Sequence, residues 1–197
     1  MHVLALVLVG ICSAWNVAGL VALLRVTRAR SDHARAKSRP VSVLKPLNGA
    51  DAGLYENLKS FFEQDHDELE LVFGTTNDND PALAIVARLR RQFPRVTCQT
   101  IVHDGGAALN PKISNLLGML PHASHDLVLI SDSNVRAPRH YVGELARVHA
   151  QTSAGIVTNL FAGSSEDSLG GALENVQLNG FCAAGSALPT LVGDAAV

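Results

Sequence analysis

The sequence predicts an α/β domain, a sheet with helices on both faces, behind one N-terminal transmembrane helix. Three observations carry this. Short apolar runs alternate with stretches of helical period, polar clusters follow the apolar runs, and the longest charge-free run stands at the N-terminus. Alternation of strand and helix is the pattern of a sheet covered on both sides. In such sheets ligands bind beyond the carboxyl ends of the strands, where the polar clusters fall.

The N-terminal run comes first. Between Val3 and Leu24 no residue is charged, and Ser13 and Asn16 are the main polar interruptions. At about 1.5 Å per residue, a helix of this length covers the roughly 30 Å hydrocarbon core. A cleavable signal peptide normally has a basic leader and a small-residue cleavage site. Only Met1 and His2 precede this run and no clear A-x-A site follows it, so residues 1–25 read as a retained anchor. Residues 26–40 then read as a basic linker. Across residues 25–45, Arg25, Arg28, Arg30, Arg35, Lys37, Arg39 and Lys45 stand against Asp32 alone. Basic residues flanking a membrane helix stay cytosolic, which places the bulk of the chain in the cytosol of a single-pass protein. The cluster also suits anionic lipid headgroups. Nucleic acid is the competing partner, but the chain as a whole is at −2, so the remainder is acidic and no nucleic-acid role is expected. Cys12, Cys98 and Cys182 lie far apart with no C-x-x-C, which suggests neither zinc nor a disulfide framework.

The elements follow in order. Val41, Val43 and Leu44 predict a first strand, stopped by Pro46. Leu54, Leu58, Phe61 and Phe62 fall on one helical face. Leu69 to Phe73 predicts a second strand, ended by the turn Thr75–Asp80. Pro81 suits the first helical position with Asp80 as N-cap, and Ile85, Leu89 and Phe93 mark that helix's buried face. Val96–Val102 predicts a third strand, followed by a loop carrying Gly105–Gly106. Pro111 opens a helix with an apolar face of Ile113, Leu116, Leu117 and Leu120. Leu127–Ile130 is the most apolar strand and is expected at the centre of the sheet. A helix with Tyr141, Leu145 and Val148 and a strand at Ile156–Thr158 complete the series. The tail from Gly180 is rich in Ala and Gly and predicts no element.

Three segments carry candidate chemistry. Ser131-Asp132-Ser133-Asn134 follows the apolar strand Leu127–Ile130. Asp132 with Asn134 can hold Mg²⁺ or Mn²⁺, which favour carboxylate, carbonyl and water oxygens; an Asx-turn or helix cap explains the same residues equally well. Asn77–Asp80 reads either as a crevice loop whose carboxylates face a nucleoside or, by local rules the better reading, as a turn with an N-cap. Lys112, near a helix N-terminus beside Asn110, Pro111 and Asn115, suits a phosphate, since free amides and the helix dipole favour an anion there; a solvated lysine is the alternative. His122 and His125 read as surface residues rather than metal ligands. No G-x-G-x-x-G follows the first strand and no G-x-x-x-x-G-K-[ST] occurs, which disfavours a Rossmann dehydrogenase or a P-loop NTPase.

Val41–Leu47, Asn57–Phe62, Asn79–Ala82, Asn110–Asn115 and Ile130–Arg136, in this order behind an anchor, resemble the ceramide glucosyltransferase family and, more closely, its bacterial hopanoid-biosynthesis relatives. The resemblance implies a GT-A nucleotide-diphospho-sugar fold over residues 41–197. It also implies a UDP-sugar donor (UDP-GlcNAc or UDP-glucose), a hopanoid or ceramide acceptor, and inversion at the anomeric carbon. Carried over, Asp80 matches the family's first functional aspartate in the nucleotide region. Asp132 matches the second, at the metal-binding D-x-D, where Asn134 departs from the pattern and leaves Asp132 as the main Mg²⁺ or Mn²⁺ ligand. Lys112 is a helper at the diphosphate. The family's third aspartate, the expected catalytic base, and its R-W motif find no match, and Trp15 in the anchor is the sole tryptophan. The chain is therefore expected to be an incomplete fragment with no turnover, its base beyond Val197. If it turns over alone, Asp104, Glu166 and Asp167 become the candidate bases. The competing expectation is a truncated module that binds a nucleotide sugar and catalyses nothing.

Overall fold

The structure is a computed structural model that describes residues 2–28, 39–152, 154–164 and 168–191. It divides into two compact units, one of residues 35–151 and one joining residues 1–34 to residues 152–197. Part of the basic linker, including Arg30, Asp32, Arg35 and Lys37, lies outside the described residues, as do Glu166 and Asp167.

The first unit is built on four parallel strands, β1 (Val41–Pro46), β2 (Leu69–Thr75), β3 (Thr97–Val102) and β4 (Leu127–Ile130), in the order β3-β2-β1-β4. Val41 of β1 stands level with Leu69 on one side and Leu127 on the other. The strand order reverses between β1 and β4, the topological switch point where a crevice opens beyond the carboxyl ends.

Side chains alternate across β1 and β2, and both faces are covered, so these two strands are buried along almost their whole length. On one face Val41, Val43, Leu71 and Phe73 pack against α2 (Leu54–Phe62), α3 (Ala82–Gln92) and α5 (Tyr141–Thr152). Phe62 stacks on Phe73 with ring centroids 5.9 Å apart. On the other face Leu44 and Val72 meet Met119 of α4 (Pro111–Met119). The buried face expected for α2 is the one observed: Leu54, Leu58, Phe61 and Phe62 all lie inside.

Several expectations change. β4, expected at the centre, is an edge strand whose Ile130 is 54% exposed. The centre belongs to β1, which carries Ser42 and Lys45. A four-residue apolar run reports hydrophobicity, whereas position depends on which strands pair on both sides. α4 buries Ser114, Asn115 and Met119, while Ile113, Leu117 and Leu120 are exposed. Hydrogen bonds from Asn115 to the sheet fix its rotation. α5 is likewise turned by one residue, with Val142 and Ala146 innermost. Ile156–Thr158 forms no strand.

The second unit contains α1 (His2–Arg28), an unbroken helix through the apolar run, and the tail. The described residues 168–191 carry α6 (Leu169–Val176), a π-helical stretch (Gln177–Cys182), α7 (Ala183–Ala187) and a 3₁₀ turn (Leu188–Leu191), so from Gly180 to Leu191 the chain is helical, against expectation. Its Ala content favours helix, and α7 packs on α1 through small residues. A β-carbon added at Gly19 falls 2.7 Å from the Ala184 β-carbon, and Trp15 stacks with Phe181 at 6.5 Å.

Candidate functional site

The site is built where β1 and β4 end. Ser131 donates its N–H to the Leu44 carbonyl at 3.1 Å, the last link between the two strands. The chain then turns, with the Val135 N–H donating to the Asp132 carbonyl at 3.2 Å. This turn leaves the Asp132 carboxylate half-exposed, 2.5 Å from the Lys112 ammonium on α4. The structure therefore joins two of the predicted site residues that lie on separate elements. Asn134 sits exposed in the turn.

The first turn of α4 corrects the anion argument. Asn110 caps it, its Oδ1 accepting from the N–H groups of Lys112 at 2.9 Å and Ile113 at 3.2 Å. The Ser114 N–H donates to the Asn110 carbonyl. These amides are engaged, so at this helix start the Lys112 side chain is the group left to meet an anion. Asn115 faces inward: its Nδ2 donates to the Gly74 carbonyl at 2.9 Å and its Oδ1 pairs with His103 Nε2 at 3.0 Å. It holds α4 against the end of β2.

Asp80 is buried, and its carboxylate is occupied by the protein. It accepts from the Gly49 N–H at 3.0 Å, Thr75 Oγ1 at 3.1 Å and the Ala82 N–H at 2.9 Å. The last bond reaches the first amide of α3, but the helix begins one residue later than expected, so Pro81 and not Asp80 stands at its N-cap. The Gly49 bond ties the loop after β1 to the end of β2, and the left-handed backbone of Gly49, φ 79°, suits a residue without a β-carbon. Asp80 thus holds the loop after β1 in place. His122 and His125 precede β4, at the opposite, amino-terminal edge of the sheet, and Asp104 is exposed after β3.

Among the described residues no group of three or more His, Cys, Asp or Glu converges as a metal cage. Asp132 supplies one carboxylate. That donor set fits Mg²⁺ or Mn²⁺ held in the usual manner, by one or two carboxylates together with substrate phosphates and water.

Sequence reasoning missed Lys45, counted there among the basic residues flanking the anchor. It is fully buried. Its ammonium donates to Ser131 Oγ at 3.0 Å and to the Asp132 carbonyl at 2.8 Å, and lies 3.5 Å from the centroid of the Phe61 ring. Burial pulls its pKa down to about 7, against the opposing pull of Asp132. The available signal was its place in the alternation, on the same face as Val41 and Val43.

This parallel sheet is found in glycosyltransferases. A mannosyltransferase, PcManGT from Pyrobaculum calidifontis, solved with GDP-Man and Mn²⁺, matches at a TM-score of 0.51 and 22% identity, over 76% of this chain and 44% of that one. TarS of S. aureus matches at 0.51 and 20% identity, over 66% of this chain and 23% of that one. At these identities the likeness is one of fold. The sequence match is closer: the model of Glycosyl transferase family 21 covers residues 2–195, and the chain belongs to that family. Ceramide glucosyltransferase 3 of Caenorhabditis elegans is 36% identical over 95 residues, 48% of this chain and 21% of the relative. Ceramide glucosyltransferase of Komagataella phaffii is 30% identical over 99 residues, 48% of this chain and 19% of the relative. The chain thus spans about a fifth of the length of these curated relatives.

Proposed function

We propose that this chain carries the donor site of a membrane-anchored, inverting glycosyltransferase of GT-A type, which moves a sugar from a UDP-sugar to a lipid alcohol. The observation that carries the reading is the meeting of Asp132 and Lys112 at the β1/β4 switch point, in a chain of Glycosyl transferase family 21. UDP as donor and a lipid as acceptor rest on the likeness to ceramide glucosyltransferases. The hopanoid alternative rests on the resemblance of Ile130–Arg136.

Breaking the sugar–phosphate bond leaves negative charge on the nucleoside diphosphate. Lys112 would leave Asp132 for those phosphate oxygens, so that the charge develops beside a cation. Asp132, with Asn134 as a lesser donor, would hold a divalent cation. When bound, Mg²⁺ or Mn²⁺ supplies Lewis-acid stabilisation of the diphosphate. Asp80 contributes by fixing the Leu47–Asp51 loop at the nucleotide end. α1 anchors the domain on a cytosolic face, its apolar run followed by Arg25 and Arg28.

The test uses protein carrying these residues, in membranes, with labelled UDP-glucose or UDP-GlcNAc and a ceramide or hopanoid acceptor. Asp132→Ala is expected to lower turnover by about 100-fold or more, in the range of lost electrostatic stabilisation. His122→Ala and His125→Ala are expected to stay near wild type. Equal effects at all three positions would sink the assignment.

A further inference from the structure

We infer that Lys45 is a positioning residue, which anchors the Ser131–Val135 turn to the central strand and so sets where the Asp132 carboxylate stands. The inference rests on the donor-site reading of Asp132.

The ladder between β1 and β4 ends at Leu44 and Ile130. Past that point the turn is held by the Ser131 N–H bond to Leu44, its own internal Asp132–Val135 bond, and the two bonds donated by Lys45. The lysine grips the turn at both a side chain and the backbone, on the two residues that place the carboxylate. It does so from β1, which is paired on both sides, whereas β4 is an edge. The Phe61 ring beneath the ammonium belongs to α2, so the anchor is continuous with the main core.

The location also argues against a purely packing role. Val41 and Val43 occupy the same face of β1 with apolar side chains, and a third would fill the site at Lys45 without removing a charge from water. Burying an ammonium is costly unless its hydrogen bonds are made, and here two go to the functional turn. Groups that orient a ligand-bearing residue typically change metal affinity by about 10- to 100-fold when removed.

The test compares the full chain, Lys45→Met, Ser131→Ala and Asp132→Ala in lipid nanodiscs by two measurements. The first is amide hydrogen exchange. Lys45→Met is expected to raise exchange by about tenfold at Ser131 and Val135, as expected when a bond holding the turn is lost, with little change at Val72 and Phe73. Ser131→Ala removes one acceptor while leaving the lysine in place, and is expected to produce a smaller rise at Val135. It serves as the readout if Lys45→Met does not fold. Unchanged exchange at Val135 in every variant that folds overturns the inference. The second measurement is UDP binding in the presence of Mn²⁺, where Lys45→Met is expected to bind about 10- to 100-fold more weakly. If Asp132→Ala loses binding but Lys45→Met keeps wild-type affinity, the positioning role is wrong. If Asp132→Ala binds like wild type, the donor-site reading is wrong, and the exchange measurement still decides whether Lys45 holds the turn.

Discussion

The two units of this chain use the same residue types in opposite ways. In the sheet unit Phe61, Phe73, Leu58 and Leu71 are fully buried. In the helical unit Val3, Leu6 and Leu173 are 76%, 71% and 63% exposed. A water-facing surface of that kind is unfavourable at about 25 cal/mol per Å². Apolar composition alone therefore says little about where a residue sits. What separates the units is the pattern around the apolar residues: alternation with polar positions in one, and a long charge-free run followed by arginines in the other.

The largest expected effect breaks the sheet unit and leaves the other alone. Phe61→Ala removes the ring beneath Lys45 and leaves a cavity at the junction of α2 and the sheet, which should destabilise that unit by about 3–5 kcal/mol. Hydrogen exchange would show the loss across β1 and β2, while the membrane-bound fraction on flotation stays constant. The converse substitution, Ile11→Arg, places a charge midway along α1 at a cost of about 2.5–3.5 kcal/mol for insertion. It should shift the chain out of the membrane fraction and leave sheet protection unchanged. Should Ile11→Arg leave flotation unchanged, the exposed apolar surface of α1 has some other explanation than lipid. Orientation is checked in the same preparation: a reporter active only outside the cytosol, fused after Val197, is expected to stay silent.

A smaller effect sharpens the comparison at one contact in the sheet unit. Gly74 stands one residue before the end of β2, beneath α4, and a β-carbon there would run into the Met119 side chain and the Asn115 amide. Asn115 is pinned by hydrogen bonds to Gly74 and His103 and has little freedom to retreat. Gly74→Ala should cost about 1–3 kcal/mol, the usual range for overpacking, read as a lowered denaturation midpoint of the sheet unit.

How much of this was legible in the sequence depended on whether local pattern or pairing decided the outcome. α1, α2 and the polar clusters at the strand ends follow from period and punctuation alone. The meeting of Lys112 with Asp132 was legible only as two separate candidates, because nothing local says that α4 returns to the end of β4. Lys45 was misassigned because its neighbours in sequence are a basic linker, while its neighbours in space are Phe61 and Ser131. The rotations of α4 and α5 were missed because buried hydrogen bonding and close packing, not hydrophobicity, fixed the inward face. The tail from Gly180 is not legible from composition because its Ala and Gly pull helix propensity in opposite directions.

The smallest expected effect lies at the amino-terminal edge of the sheet, away from the site. Glu70 of β2 is buried, and burial alone would raise its pKa. The Ser42 hydroxyl at 2.7 Å, the N–H and hydroxyl of Ser124, each at 2.8 Å, and the Gln99 amide at 2.9 Å outweigh that and hold the carboxyl below its ordinary value of 4.5. All four donors serve the charged form. Folding then favours the ionised state, so the stabilisation is fully present above the ordinary value and drains away as pH falls below it toward the lowered folded-state pKa. Glu70→Gln keeps the shape but turns a donor toward donors, and should cost about 1 kcal/mol at neutral pH. The two proteins should converge as the pH falls below 4.5, because the wild-type carboxyl becomes protonated as well. Denaturation midpoints of the sheet unit measured from pH 7 to pH 3 check this, and a gap that stays constant across that range would show that the Ser42–Glu70–Ser124 clasp contributes shape rather than charge.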